Sequence, residues 1–137
     1  MALQYSEDVR NAKLDAIEST IGTNVNLLIY SGPIPDDCAS APSGVLLVAI
    51  DLPADWMAAA SGGVKAKNGT WQGTAIATGI ADHFRICNGS PTDICKIQGK
   101  IETTGGSPTG EMGLDNINIS VSQTVTVTSF QLTSGNA

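Results

Sequence analysis

The sequence predicts a mainly β protein, an antiparallel β-sandwich or jelly roll of about seven or eight strands with one N-terminal α-helix. Three observations predict it. Residues 113–137, GLDNINISVSQTVTVTSFQLTSGNA, are rich in β-branched side chains, and Val125, Thr126, Val127 and Thr128 alternate apolar with polar at the period of a half-buried strand. Charged residues make up only 15% of the chain and glycines number 15, a balance that suits a turn-rich β domain and not a helix bundle. Short β-prone runs also recur between turn signals along most of the chain. A lone strand leaves both edges unpaired, so these runs must supply neighbours for the one near the end.

At 137 residues the chain fits one domain with a real core, organised as a helical arm over 1–22 and a single β domain over 23–137. Ser6 is placed to cap a helix running to about Ile21, with Glu7 and Asp8 in the first turn, where the helix dipole favours acids. Leu14, Ile17 and Ile21 recur at helical spacing, with Val9, Ala12 and Ala16 on the flank and Arg10, Lys13, Asp15 and Glu18 on the polar side. Gly22 is the stop signal. Such a helix either packs across an edge of the β domain or serves as an arm that docks on a partner subunit.

Residues 26–30, NLLIY, read as a buried strand ended by Ser31, Gly32 and Pro33. Pro33, Pro35 and Pro42 hold the loop 34–43 in extended or turn conformations. Residues 45–52, VLLVAIDL, are the longest apolar run and are expected to form a central strand. Residues 55–60 read as a short helical turn or as a loop that lays Trp56 on the core. Asn68 and Gly69 form a hairpin dipeptide, and the glycines of 70–79 suggest a bent or bulged strand after it. Residues 81–87 and 95–101 read as a strand pair around the turn at Asn88 and Gly89. His83 and Arg85 lie on one wet face, and Phe84 and Ile86 on a dry one. The stretch 105–110, GGSPTG, reads as a flexible loop.

The net charge of −6, with only 7 Lys and Arg, disfavours direct nucleic-acid binding and an anionic membrane surface. The first residues hold no apolar run of signal-peptide length, and none approaches a membrane span, so synthesis in the cytoplasm is expected. Asn68-Gly69-Thr70 and Asn118-Ile119-Ser120 then match the glycosylation acceptor only by spacing.

Cys38, Cys87 and Cys95 are an odd number of cysteines and are expected to be buried or half-buried free thiols. A disulfide between Cys87 and Cys95 across the hairpin is the alternative. A zinc site of these three with His83 lacks the short CxxC spacing. His83 is the sole histidine and is expected to be a surface strand residue, with Asp82 on the opposite face if that segment is a strand. No GxSxG elbow accompanies it, Asp36 and Asp37 lack the spaced acids of a calcium loop, and the glycine runs lack a phosphate-cradle pattern. No catalytic, cofactor-binding or metal residues are therefore assigned, and a non-enzymatic protein without cofactors is expected.

Three blocks carry a resemblance: MALQYSEDVRNAKLDAIESTIGT at the start, LPADWMAAASGGVKAKNGTWQGTAIATGIADHFRI in the middle, and LDNINISVSQTVTVTSFQLTSGNA at the end. Together they resemble a family of small virion proteins of tailed bacteriophages and prophages, over most of the chain. The resemblance implies a particle protein, and by analogy of size and class a capsid decoration (cement) protein. Its partners would be the major capsid protein and further copies of itself, as a dimer or trimer, on the capsid surface. A tail, neck or fibre-associated protein and a carbohydrate-binding β-sandwich are the alternatives.

Overall fold

Helix α1 (Glu7–Ile21) starts after Ser6 and ends at Gly22, whose backbone adopts φ 93°. Ser6 occupies the N-cap position, but its hydroxyl meets the Asp8 carboxylate and caps no backbone N–H. Leu14 and Ile21 are buried, as their spacing predicts, and Ile17 packs partly against the core. The carbonyls at the C-terminal end find side-chain donors, since Asn88 Nδ2 reaches the Ile21 oxygen at 2.8 Å and Trp56 Nε1 reaches the Gly22 oxygen at 3.0 Å. The computed structural model describes residues 3–89, 94–103 and 112–134, with the side chains of 102 and 103 excepted. The loop expected at 105–110 and part of the turn after Gly89 lie outside the described residues.

Among the described residues ten strands follow: β1 (Val25–Tyr30), β2 (Leu46–Asp51), β3 (Val64–Ala66), β4 (Gln72–Thr74), β5 (Gly79–Ile80), β6 (His83–Asn88), β7 (Ile94–Thr103), β8 (Met112–Leu114), β9 (Asn118–Ile119) and β10 (Thr124–Thr133). Eight form one curled sheet in the order β2-β1-β6-β7-β8-β10-β3, with β4 also on β10, while β5 and β9 pair separately. The mainly β class is as the sequence predicts. Its pairing differs in one place, because β7 and β8 are parallel where an antiparallel sheet was expected. They overlap over only three residue pairs, Ile101 with Met112 to Thr103 with Leu114.

Two further expectations are corrected. The apolar run 45–52 gives β2, which pairs only with β1 and ends the strand order instead of occupying its centre. It is buried nonetheless because the sheet curls β4 over it: a Cβ on Gly73 would lie 2.9 Å from Ile50 Cγ1, so β4 can approach this closely only without a side chain there. Asn68 and Gly69 join no hairpin. Strands β3 and β4 both pair with β10, and the Lys67 N–H to Phe130 and Val127 N–H to Trp71 bonds keep the intervening turn on β10 as well.

Strand β10 alternates over 124–128 as its sequence predicts, with Val125 and Val127 buried and Thr124 and Thr128 exposed, and the irregularity between Val127 and Ser129 turns Phe130 to the buried side. Residues 55–60 form a loop that sets Trp56 in the core. There Trp56, Trp71, Phe130 and Phe84 make a chain of ring contacts at centroid distances of 6.2, 5.6 and 5.5 Å. Aromatic pairs in tilted and edge-on arrangements add to the burial of their large apolar area.

Helix α1 lies against the segment 60–65. Glu7, Asn11 and Asp15, four residues apart on one helical face, accept backbone N–H bonds from Gly62, Gly63 and Ala60 at 3.1, 2.9 and 3.0 Å. The polar side of the helix is thus partly a gripping surface. Lys65 completes it: fully buried on β3, its Nζ lies 2.7 Å from Asp15 Oδ1, 2.8 Å from Glu18 Oε1 and 2.9 Å from the Ala58 carbonyl.

Candidate functional site, a loop strapped over the thiol cluster

Strand β6 is buried on both faces, which corrects the expectation of one wet face. Phe84 and Ile86 enter the core, while His83 and Arg85 face the other way and are also buried. What covers them is the proline-bearing loop between β1 and β2. Its neck is tight. Ser31 N–H bonds the Val45 carbonyl at 3.0 Å, and Gly44 passes so close that a Cβ on it would sit 1.7 Å from the Ser31 oxygen. Loops of this length with adjoining ends pack as compact units on the surface.

The second face of β6 and β7 binds this loop through its backbone carbonyls. Arg85 donates from Nη2 to Cys38 at 2.6 Å and from Nη1 to Ser40 at 2.8 Å. Gln98 Nε2 donates to the Pro35 carbonyl at 2.8 Å, and His83 Nδ1 to that of Gly32 at 3.1 Å. Within the loop, Asp37 Oδ1 accepts from the Ser40 N–H and hydroxyl, both at 2.9 Å, which closes a small turn and holds the carboxyl below its usual range. Asp37 therefore serves the loop.

His83 is not a surface residue. It is fully buried, stacks on Tyr30 with ring centroids 5.2 Å apart, and gives its Nδ1 proton to a carbonyl. Burial pushes its pKa down from 6.5, against the pull of the Gly32 carbonyl and of Asp82. Asp82 precedes the strand and so escapes its alternation; its Oδ2 lies 3.8 Å from Nδ1, not on the opposite face. With Nδ1–H donated to the Gly32 carbonyl, the lone pair of the neutral ring lies on Nε2, which is buried without a hydrogen-bond partner.

All three cysteines are reduced thiols, as expected, but their grouping differs from the hairpin alternative. Cys87 and Cys95 are cross-strand neighbours at the bulge in the β6–β7 pair. Cys38 is brought to them by the loop, and Cys95 Sγ lies 2.7 Å from Cys38 Sγ. The hydrogen bond from the Cys87 thiol is the main cause that holds Cys95 down to about 5; burial opposes it, and Cys38 and the Arg85 guanidinium reinforce it. Cys38 is pushed up to about 11, first by burial and then by its neighbour. A cavity of about 450 Å³ opens beside them, with Tyr30, Pro42, Arg85 and Ile94 in its walls. Among the described residues no group of three or more His, Cys, Asp or Glu side chains is arranged to hold a metal ion, and His83 stands apart from the thiols.

The sequence reading missed Arg85 as a clamp, Lys65 as a buried cation and Cys38 as the partner of Cys95. The one signal for the first is a strand of alternating charge opposite a loop rich in proline. The chain matches no protein-family model, no curated protein and no solved structure.

Proposed function

We propose that this chain is a non-enzymatic structural protein of a tailed-bacteriophage virion, a decoration (cement) subunit that binds the lattice of the major capsid protein and stabilises the head. The resemblance of the blocks at 1–23, 52–86 and 114–137 supports a particle protein. The observation that carries the docking role is an apolar surface. Val45, Ile76, Ile80 and Val121 are 55, 61, 60 and 56% exposed. Their segments are tied together: Ile76 N–H bonds the Leu47 carbonyl, Val121 N–H bonds Thr78 Oγ1, and Ile80 pairs with Asn118. Large apolar side chains held exposed on rigid, mutually bonded backbone favour a protein partner.

On a repeating lattice, modest contacts per subunit add through multivalency, and binding only the assembled shell stabilises it by linkage. A net charge of −6 keeps such a subunit off the packaged DNA. Self-association as a dimer or trimer would bring the same patches to neighbouring capsomers. Cryo-electron microscopy of the phage particle tests the reading. Density for this chain in icosahedral register over the head is the expected result. Density confined to the tail, neck or fibres, or its absence from the particle together with glycan binding by the isolated chain, would replace it.

A further inference from the structure

We propose that Cys95 is a redox-reactive thiol whose resolving partner is Cys38, so that a low-molecular-weight disulfide converts the pair into a bond that fastens the proline-bearing loop to strand β7. Three observations converge on this pair. The two sulfurs lie 2.7 Å apart, about 0.7 Å beyond a sulfur–sulfur bond, although 57 residues separate them in sequence. The loop is already registered on the sheet by the bonds from Arg85 to Cys38 and Ser40 and from Gln98 to Pro35, so closure requires little backbone movement. The cavity beside the thiols gives a small reagent a route to Cys95, which is half-buried, while Cys87 is buried.

The chemistry balances without a cofactor. The Cys95 thiolate attacks one sulfur of a reagent RSSR, forming the mixed disulfide Cys95–S–S–R and expelling RS⁻. The Cys38 thiol gives up its proton and attacks Cys95 Sγ, forming Cys38–Cys95 and expelling the second RS⁻. In sum two protein thiols and one RSSR become one protein disulfide and two RSH. Cys95 is the attacking atom because Cys87, Cys38 and the Arg85 guanidinium all stabilise its negative charge. Once Cys95 carries R, its negative charge no longer helps hold the proton on Cys38, and the 2.7 Å between the sulfurs places the Cys38 thiolate for the second attack. The inference stands independently of the capsid reading.

The test treats the folded full-length chain with oxidised glutathione, blocks residual thiols with iodoacetamide and maps tryptic peptides. Cys38 falls in peptide 14–65, and Cys87 and Cys95 share peptide 86–96. The expected product links the two peptides, persists in Cys87→Ser, and in Cys38→Ser gives way to a glutathione adduct on Cys95. Oxidation should also raise the melting temperature, reversibly with dithiothreitol. An internal disulfide within 86–96, or thiols that stay reduced until the chain is unfolded, would overturn the assignment. A second readout uses the rate of iodoacetamide labelling at Cys95, followed by mass spectrometry. It should stay high down to about pH 6, whereas a rate falling tenfold per pH unit below about 8.5, as for an ordinary thiol, would count against it.

Discussion

Lys65 Nζ lies 2.7 Å from Asp15 Oδ1, and this contact fixes the helix to the strand that ends the main sheet. Lys65 has almost no exposed side chain, whereas Asp15 is about half exposed. Losing the acids should therefore cost more than losing the lysine. The double variant Asp15→Asn, Glu18→Gln leaves a buried ammonium without a counter-charge, while Lys65→Met removes the charge and keeps most of the volume. Thermal melts should rank the double variant clearly below Lys65→Met; the reverse order would show that the acids are dispensable. Because Asp15 is held below the usual carboxylate range by the Lys65 hydrogen bond, its contribution is present above about pH 4 and lost as pH falls further.

Arg85→Lys should loosen the loop although it keeps the charge. One ammonium cannot reproduce the fork that reaches both Cys38 and Ser40, so a part-buried carbonyl loses its charged donor at a cost of about 1–3 kcal/mol. Amide hydrogen exchange at 37–41 should accelerate while exchange in β10 stays slow. Uniform acceleration would mean that Arg85 supports the whole fold and not the strap.

Stability should decline as pH drops below about 6.5 because of His83. Its folded pKa is depressed, so the unfolded chain takes up the proton first, and the native state loses up to about 1.4 kcal/mol per pH unit below the unfolded value until its own pKa is reached. Cys95 titrates with the same sign between about pH 5 and 9, so the comparison belongs in a Cys95→Ser background. There, denaturant midpoints from pH 7.5 to 5 should slope for His83 and flatten in His83→Gln. An unchanged slope would assign the effect to other groups.

Gly44→Ala should destabilise by about 1–3 kcal/mol or more, since the methyl would overlap the Ser31 carbonyl and the neck must open. Differential scanning calorimetry measures the loss. A melting temperature equal to that of the parent chain would mean that the neck adjusts freely.

Ile76→Glu with Ile80→Lys should abolish co-sedimentation with capsid shells while leaving the melting curve within about 0.5 kcal/mol of the parent, as for other exposed positions. Retained binding would move the docking surface elsewhere on the chain.

The sequence made β10 legible because Val125 and Val127 meet a core and Thr128 meets water, and that contrast is written in the alternation itself. Trp56 and the Gly22 stop were legible for similarly local reasons. His83 and Arg85 were not. A polar alternate face looks the same in sequence whether it meets solvent or the carbonyls of a distant loop, and only the fold brings residues 31–44 over β6. Lys65 was hidden for the same reason, since its counter-charges Asp15 and Glu18 sit far away in sequence on the helix face that seemed solvated. The parallel β7–β8 pair left no mark on composition, being set by a three-residue overlap.

The pairings of β10 have a consequence for the order in which the chain can acquire its shape. Strands β1, β2 and β6 meet within the first 88 residues, but Gln131 must find Ala66 and Thr126 must find Gln72 across more than 50 intervening positions. Until it does, Trp71 lacks its Phe130 neighbour and the inner face of the early sheet stays wet. Acquisition of the native state is thus governed by long-range closure, which is slow compared with local hairpin formation. Trp71 sits against Phe130 of β10, so its fluorescence on refolding should report the arrival of that strand.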